Sequence, residues 1–206
     1  MKALLINGSP NKDGCTFTAL AEVAGELEKN GIKTEIFHIG RGPFYGCSAC
    51  FACDKIGKCA FDGDPCNEIA EKMKNADGVV IGSPVYYAGA NGALCALLDR
   101  AFFSSRGAFA RKPGAAVVSC RRGGAGSAFD RLNKYFTISS MPVVSSQYWN
   151  AVHGNTPDEV RQDKEGMQVM RALGRNMAWL MNSIEASKGL VSEPETEPPV
   201  ATNFIR

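Results

Sequence analysis

Five short apolar runs, at 2–7, 34–39, 78–81, 115–119 and 142–146, recur through the first 150 residues with helical patterns between most of them. Runs of this length bounded by Gly, Ser, Asn or Pro read as buried strands of a parallel sheet. The intervening stretches carry a 3.6-residue period. Leu20, Val23, Ala24 and Leu27 share one face, and Leu94, Leu97, Leu98, Ala101 and Phe102 share another. A further helix is expected over 67–75, and another led by Ser127 with Asp130 three residues on, carrying Phe129, Leu132 and Phe136. Strands alternating with helices predict an α/β fold, a doubly wound five-stranded parallel sheet with right-handed crossovers.

Such a sheet binds ligands beyond the carboxyl ends of its strands, where the strand order reverses. That rule selects the loops at 8–16, 82–91 and 120–126, all rich in Gly, Ser and Asn. The first, Gly8-Ser9-Pro10-Asn11-Lys12-Asp13-Gly14-Cys15-Thr16, offers two hydroxyls, flexible glycines and a helix N-terminus, which favours a phosphate without needing Lys or Arg. It has neither the G-x-x-x-x-G-K-[ST] of an NTPase nor the G-x-G-x-x-G of a dinucleotide fold. An ordinary tight turn remains the other reading. In the second loop, Pro84, Val85, Tyr86 and Tyr87 form an apolar and aromatic surface suited to a flat ring, or to core and interface packing. In the third, Gly123 and Gly124 permit close backbone approach, and Arg121-Arg122 is either an anion site or a solvated basic patch.

Between residues 47 and 59 stands a C-x2-C-x2-C-x5-C run of Cys47, Cys50, Cys53 and Cys59. Four thiols so close in sequence can face one small centre, as around an iron–sulfur cube. The run differs from bacterial ferredoxins, which have x3 before the last cysteine and a proline after it; here there are five residues and Ala60. Structural zinc sites pair two separated knuckles, and disulfides belong to oxidising compartments. A thiol-rich loop without a cluster is the alternative, with Cys66 as a spare. Cys95 and Cys120 read as buried apolar residues.

Gly8-Ser9-Pro10 after the first strand, Gly82-Ser83-Pro84-Val85-Tyr86 after the third and the Leu97-Leu98-Asp99-Arg100 helix resemble the NADPH-dependent FMN reductases of the flavodoxin superfamily. The resemblance runs from residue 1 to about 182. It implies a flavodoxin-like three-layer α/β/α fold with strand order 2-1-3-4-5. It also implies non-covalent FMN held by Ser9, Asn11, Cys15, Thr16, Pro84, Val85, Tyr86, Tyr87, Arg121, Gly123 and Gly124. Family members commonly carry Arg after the first Gly-Ser-Pro and Asn just before the Thr; Asn11 and Cys15 stand there instead. The cysteine run adds a resemblance to iron–sulfur flavoproteins, in which such cysteines ligate a [4Fe–4S] cluster close to FMN.

The implied activity is hydride transfer from NAD(P)H to the flavin N5, then electron transfer to a small-molecule or protein acceptor. An electron carrier passing electrons between cluster and FMN without NAD(P)H activity is the other reading. Arg121 or Arg122 would stabilise charge on the reduced flavin or meet the 2′-phosphate of NADPH. No catalytic nucleophile is expected, and a homodimer or homotetramer is.

A net charge of +2, from 23 basic and 21 acidic residues, provides no strong field for nucleic acid or anionic lipid. The N-terminal apolar stretch is too short for a secretory signal, and no run reaches the roughly 20 apolar residues of a membrane helix. Eight cysteines then point to a reducing cytoplasm. The 206 residues, 45% hydrophobic, suit one domain at 1–188 with a cysteine-rich insertion at 40–66. A tail at 189–206 follows, expected to dock through Phe204 and Ile205. The segment at 147–155 is unusually aromatic. Its Tyr148, Trp149 and His153 either wall a ligand pocket or pack against the body, and His38 reads as structural.

Overall fold

The computed structural model describes residues 1–198 and 200–202. In chain order the elements are β1 (Lys2–Asn7), α1 (Cys15–Lys29), β2 (Lys33–His38), α2 (Cys53–Ile56), α3 (Cys66–Lys74), β3 (Gly78–Tyr86), β4 (Gly89–Ala90) and α4 (Gly92–Ser104). They continue with β5 (Gly114–Cys120), α5 (Ala125–Ile138), β6 (Ala151–His153), α6 (Pro157–Gln162) and α7 (Lys164–Ser187). The sheet runs β2-β1-β3-β5-β6, all parallel, with β4 folded back antiparallel on β3. Apart from that hairpin, this is the expected order.

The strand period of two divides the core. Leu4, Ile6, Val79 and Ile81 face α3, α4 and α5, packing on Ile69, Leu94, Leu98 and Phe136. Ala3, Leu5, Val80 and Val117 face α1 and α7, packing on Leu20, Val23, Leu27, Met170 and Met177. With both faces covered, the central strands admit only apolar residues until they emerge at their carboxyl ends. That is where the polar loops begin.

Three boundaries differ from the expected ones. The third strand continues past residue 81 because β5 pairs with it as far as Pro84↔Ser119 and β4 closes a hairpin on Val85 and Tyr86. Helix α5 starts at Ala125, directly after left-handed Gly124, so the cap expected from Ser127 is not used. The fifth strand is displaced. Of 142–146, only Val143 bridges the sheet, opposite Gly114, and the regular pairing is Ala151–His153 against Val118–Cys120. Asn150 closes the gap: its buried amide donates to the Ala116 carbonyl at 3.0 Å while its own carbonyl accepts from Val118 at 3.0 Å. A side chain thus supplies a ladder bond that interrupted backbone leaves unmade. Helix α6 is capped by Thr156, whose hydroxyl accepts from the Glu159 N–H.

Lys112, preceding β5, caps the C-terminus of α3 by donating from Nζ to the carbonyls of Met73 at 3.1 Å, Ala76 at 2.7 Å and Lys74. Met73 and Lys74 lie in the last turn of α3, where the helix dipole adds to the attraction of their carbonyls for a cation. Lys112→Met should therefore lower stability by about 1–3 kcal/mol in urea unfolding. A midpoint equal to that of the parent would show that water replaces the ammonium without loss.

After α7 the chain meets Arg111, which binds the Glu193 carboxylate at 2.8 Å and the Pro194 carbonyl at 3.0 Å. The expected docking of Phe204 and Ile205 lies outside the described residues. Among the described residues, no helix is long and apolar enough to cross a membrane.

Candidate functional site

Loops 8–16, 82–91 and 119–124 meet at one end of the sheet, and glycines set how closely. A Cβ on Gly8 would come within 2.4 Å of Leu94 and 2.8 Å of the Gly82 carbonyl, which Gly8 N–H instead bonds at 2.8 Å. A Cβ on Gly124 would strike Ala88 Cα at 2.6 Å, so the third loop lies against the tip of the β3–β4 hairpin.

The first loop is held from within and from β2. Asn7 donates to the Lys12 carbonyl at 2.9 Å and accepts from Ser9 N–H at 3.1 Å; Ser9 Oγ accepts from Asn11 N–H at 3.1 Å. His38 Nε2 lies 2.8 Å from the Ser9 carbonyl, consistent with its structural reading. Arg41 reaches across from beyond β2, donating from Nε to the Pro10 carbonyl and from Nη2 to Asn11 Oδ1, both at 2.9 Å. Among the described residues no carboxylate pairs with Arg41, so its charge is fixed yet uncompensated.

Helix α1 has Gly14 at its N-cap, with no side-chain cap and no acid in its first turn. The N–H groups of Cys15, Thr16 and Phe17 have no oxygen acceptor among the described residues. An open helix N-terminus of this kind is an anion site. Thr16 is buried, and its hydroxyl shares a 2.8 Å hydrogen bond with Ser119, tying the first loop to the third. The Cys15 thiol donates to the Gly154 carbonyl at 3.7 Å, and burial pushes its pKa up.

In the second loop the hairpin turn places Tyr87 and Ala88 at φ of 48° and 59°. Left-handed geometry at two consecutive non-glycine residues is strained and persists only where its surroundings impose it. The turn leaves Tyr86 half-exposed and Tyr87 fully exposed. Buried Asn91 anchors the far side, donating from its side chain to the Gly8 carbonyl at 2.7 Å and from its backbone to Ser83 Oγ at 2.9 Å, while its Oδ1 caps α4. Arg121 and Gly123 are exposed on the third loop, and α5 also starts without a side-chain cap.

Cys47, Cys50, Cys53 and Cys59 line a single cavity of about 40 Å³. All eight cysteines are free, and among the described residues no three His, Cys, Asp or Glu side chains are gathered closely enough to hold one metal ion. The backbone is left-handed at Ala49 and Phe51, flanking Cys50. Hydrogen bonding from the Ala52 N–H, then from Ser48, lowers the Cys50 pKa. Behind the cavity, Arg100 spends all five donors. Nε donates to Cys59 Sγ at 3.3 Å, Nη1 to the Tyr45 carbonyl and Asp64, and Nη2 to the Phe61 carbonyl and Asp64. Although burial opposes it, Arg100 holds the Asp64 carboxyl below its usual range, aided by the N–H groups of Cys66 and Tyr45. Cys66 is buried on α3, its thiol donating to the Leu97 carbonyl, and burial raises its pKa to about 12. It adjoins Cys59 but is not itself among the residues lining the cavity.

Sequence reasoning assigned no site role to Arg41, Asp64, Asn91 or Arg100, although Asn91 ends a selected loop and Arg100 stands in a motif of the resemblance. The signal for Arg100 was a charge on the apolar-striped helix over 94–102.

The sequence profile of the NADPH-dependent FMN reductase family matches residues 1–156. An iron-sulfur flavoprotein of Methanocaldococcus jannaschii is 33% identical over 193 residues, covering 90% of this chain and 100% of its own. Among solved structures, RosB with bound 8-demethyl-8-formylriboflavin-5'-phosphate aligns over 100% of this chain and 93% of its own, with a TM-score of 0.71 at 15% identity. A flavodoxin, WrbA-like protein from Agrobacterium tumefaciens aligns over 88% and 98%, with a TM-score of 0.63 at 14% identity. At those identities the likeness establishes the fold, which is flavodoxin-like.

Proposed function

The chain belongs to the NADPH-dependent FMN reductase family, and from that membership we propose that it is an FMN-dependent NAD(P)H oxidoreductase. The observation that carries the reading is the uncapped N-terminus of α1 at the convergence of three loops beyond the carboxyl ends of β1, β3 and β5. The residues present fit the cofactor. N–H groups of Cys15, Thr16 and Phe17, with the Ser9 hydroxyl, suit a phosphate. The guanidinium of Arg41 adds fixed positive charge beside Asn11. Asn11 thereby orients a cation rather than contacting phosphate, and Cys15 is turned toward Gly154. Pro84, Val85, the Tyr86-Tyr87 turn and the Gly123-Gly124 backbone provide a flat, partly apolar wall and close main-chain donors for a ring. Arg121 brings positive charge to the same loop. Bound there, FMN supplies acceptance of hydride from NAD(P)H and delivery of electrons to an acceptor.

Replacing Ser9 and Thr16 together with alanine should weaken FMN binding by about 1–3 kcal/mol, partly through loss of the Thr16–Ser119 tether. Arg41→Ala should weaken FMN more than riboflavin, since only FMN carries the phosphate. Equal losses for both ligands would remove Arg41 from the phosphate site. The activity is tested by steady-state oxidation of NADPH and NADH against free FMN; no turnover with either rejects the reductase reading.

A second reading rests on the four cysteines lining one cavity and on whole-length likeness to a protein named an iron-sulfur flavoprotein. In it Cys47, Cys50, Cys53 and Cys59 ligate a [4Fe–4S] cluster. The donor set fits: four thiols, one with a lowered pKa and one touching a buried guanidinium. Such a cluster supplies one-electron transfer. If the protein lacks NAD(P)H activity but holds both groups, it is an electron carrier. Free cysteines throughout suit a reducing cytoplasm.

A further inference from the structure

We infer that the cavity beside the edge strand β6 binds a neutral planar aromatic compound bearing a carbonyl oxygen. The cavity measures about 140 Å³ and has an apolar floor of Val118, Ala151 and Val169 with aromatic walls of Phe129, Tyr148 and Trp149. Tyr148 and Trp149 are 61% and 63% exposed, with ring centroids 4.8 Å apart and an interplanar angle of 60°; they stand at the cavity mouth.

The pair is presented by an ordered turn. Tyr148 N–H donates to Ser146 Oγ at 3.2 Å, and Ala151 N–H to the Trp149 carbonyl at 2.7 Å. Behind it, buried Asn150 fixes the backbone to β5. Aromatic surface held in place at a cavity mouth costs a ligand little ordering entropy.

The polar groups select the ligand's chemistry. His153 Nδ1 lies 3.4 Å from Cys120 Sγ, and burial raises the Cys120 pKa, so the thiol keeps its proton and donates to Nδ1. The ring proton then sits on Nε2, which has no partner among the described residues and is a free donor for a carbonyl oxygen. Both Asp163 oxygens are occupied, by the N–H groups of His153 at 2.7 Å and Gly166 at 2.9 Å. Glu165 adds a second negative charge to the lining, which contains no Lys or Arg, so an anionic ligand is disfavoured. Ala125 and Gly126 complete the wall, beside the third loop. The inference adds a ligand class to the reading above, but binding at this cavity does not depend on that reading.

The probe is duroquinone, whose fully substituted ring cannot add thiols, titrated calorimetrically into the purified cofactor-replete protein. The anionic comparison is 9,10-anthraquinone-2,6-disulfonate. Trp179→Phe leaves Trp149 as the single tryptophan, and its quenching reports occupancy directly. Saturable binding is expected, weakened about five- to tenfold by Trp149→Ala and by His153→Ala, with the disulfonate at least about tenfold weaker than duroquinone. Absence of saturable binding, affinity unchanged in both variants, or equal affinity for the disulfonate overturns the inference. Failure to bind FMN would refute the flavin reading and leave this readout intact.

Discussion

Arg100→Met is expected to lower the unfolding free energy by about 3–5 kcal/mol at neutral pH. The side chains of Arg100 and Asp64 are 2% and 1% exposed, so methionine would fill the space but leave a buried carboxylate without its cation. The carbonyls of Tyr45 and Phe61 would lose their donors at the same time. The loss should depend on pH in a defined sense. Asp64 has a depressed pKa in the folded parent, so its contribution is present above the unfolded value near 3.9 and disappears as pH falls through the folded one. The gap between parent and variant therefore narrows on acidification, as protonation neutralises the stranded carboxyl. Asp64→Asn in the Arg100→Met background should recover part of the stability, because removing both charges is less costly than removing one. Urea unfolding of the four proteins in this cycle measures the coupling. A single-variant loss under about 1 kcal/mol would mean that the pair is solvated in solution.

Made and handled without oxygen, the protein should contain about four iron and four sulfide per chain. Serine in place of Cys47, Cys50, Cys53 or Cys59 should reduce both sharply. The same change at Cys66 should leave them intact, since that thiol is buried on α3 and directed to the Leu97 carbonyl. Arg100→Met should also reduce iron, by loosening the segment that carries Cys59. Zinc in place of iron, or no metal after strictly anaerobic preparation, would leave the cysteine segment as a thiol-rich loop beside the flavin site.

Much of this was readable in the residues. The apolar runs over β1, β3 and β5 read as strands buried on both faces, and the turn residues after them marked where those strands emerge. The cysteine spacing identified one loop as a single unit. These are local signals, carried by period and by turn chemistry over a few residues. The last strand failed locally for the same reason: 142–146 has the right composition, but the ladder is continued by Asn150 and Ala151–His153, which are selected by their pairing with β5.

What the sequence determined by itself was the fold class and the three loops at one end of the sheet, while the strand order came from the family resemblance. The tertiary structure decided which distant side chains hold those loops. Arg41 reaches Asn11 across 30 positions, Thr16 meets Ser119 across 103, and Asn91 meets Gly8 across 83. None of these pairings has a period or a spacing to betray it. Each exists because parallel pairing sets β1 between β2 and β3 and brings the ends of β1, β3 and β5 together, so that polar groups far apart in the chain become each other's nearest partners away from water.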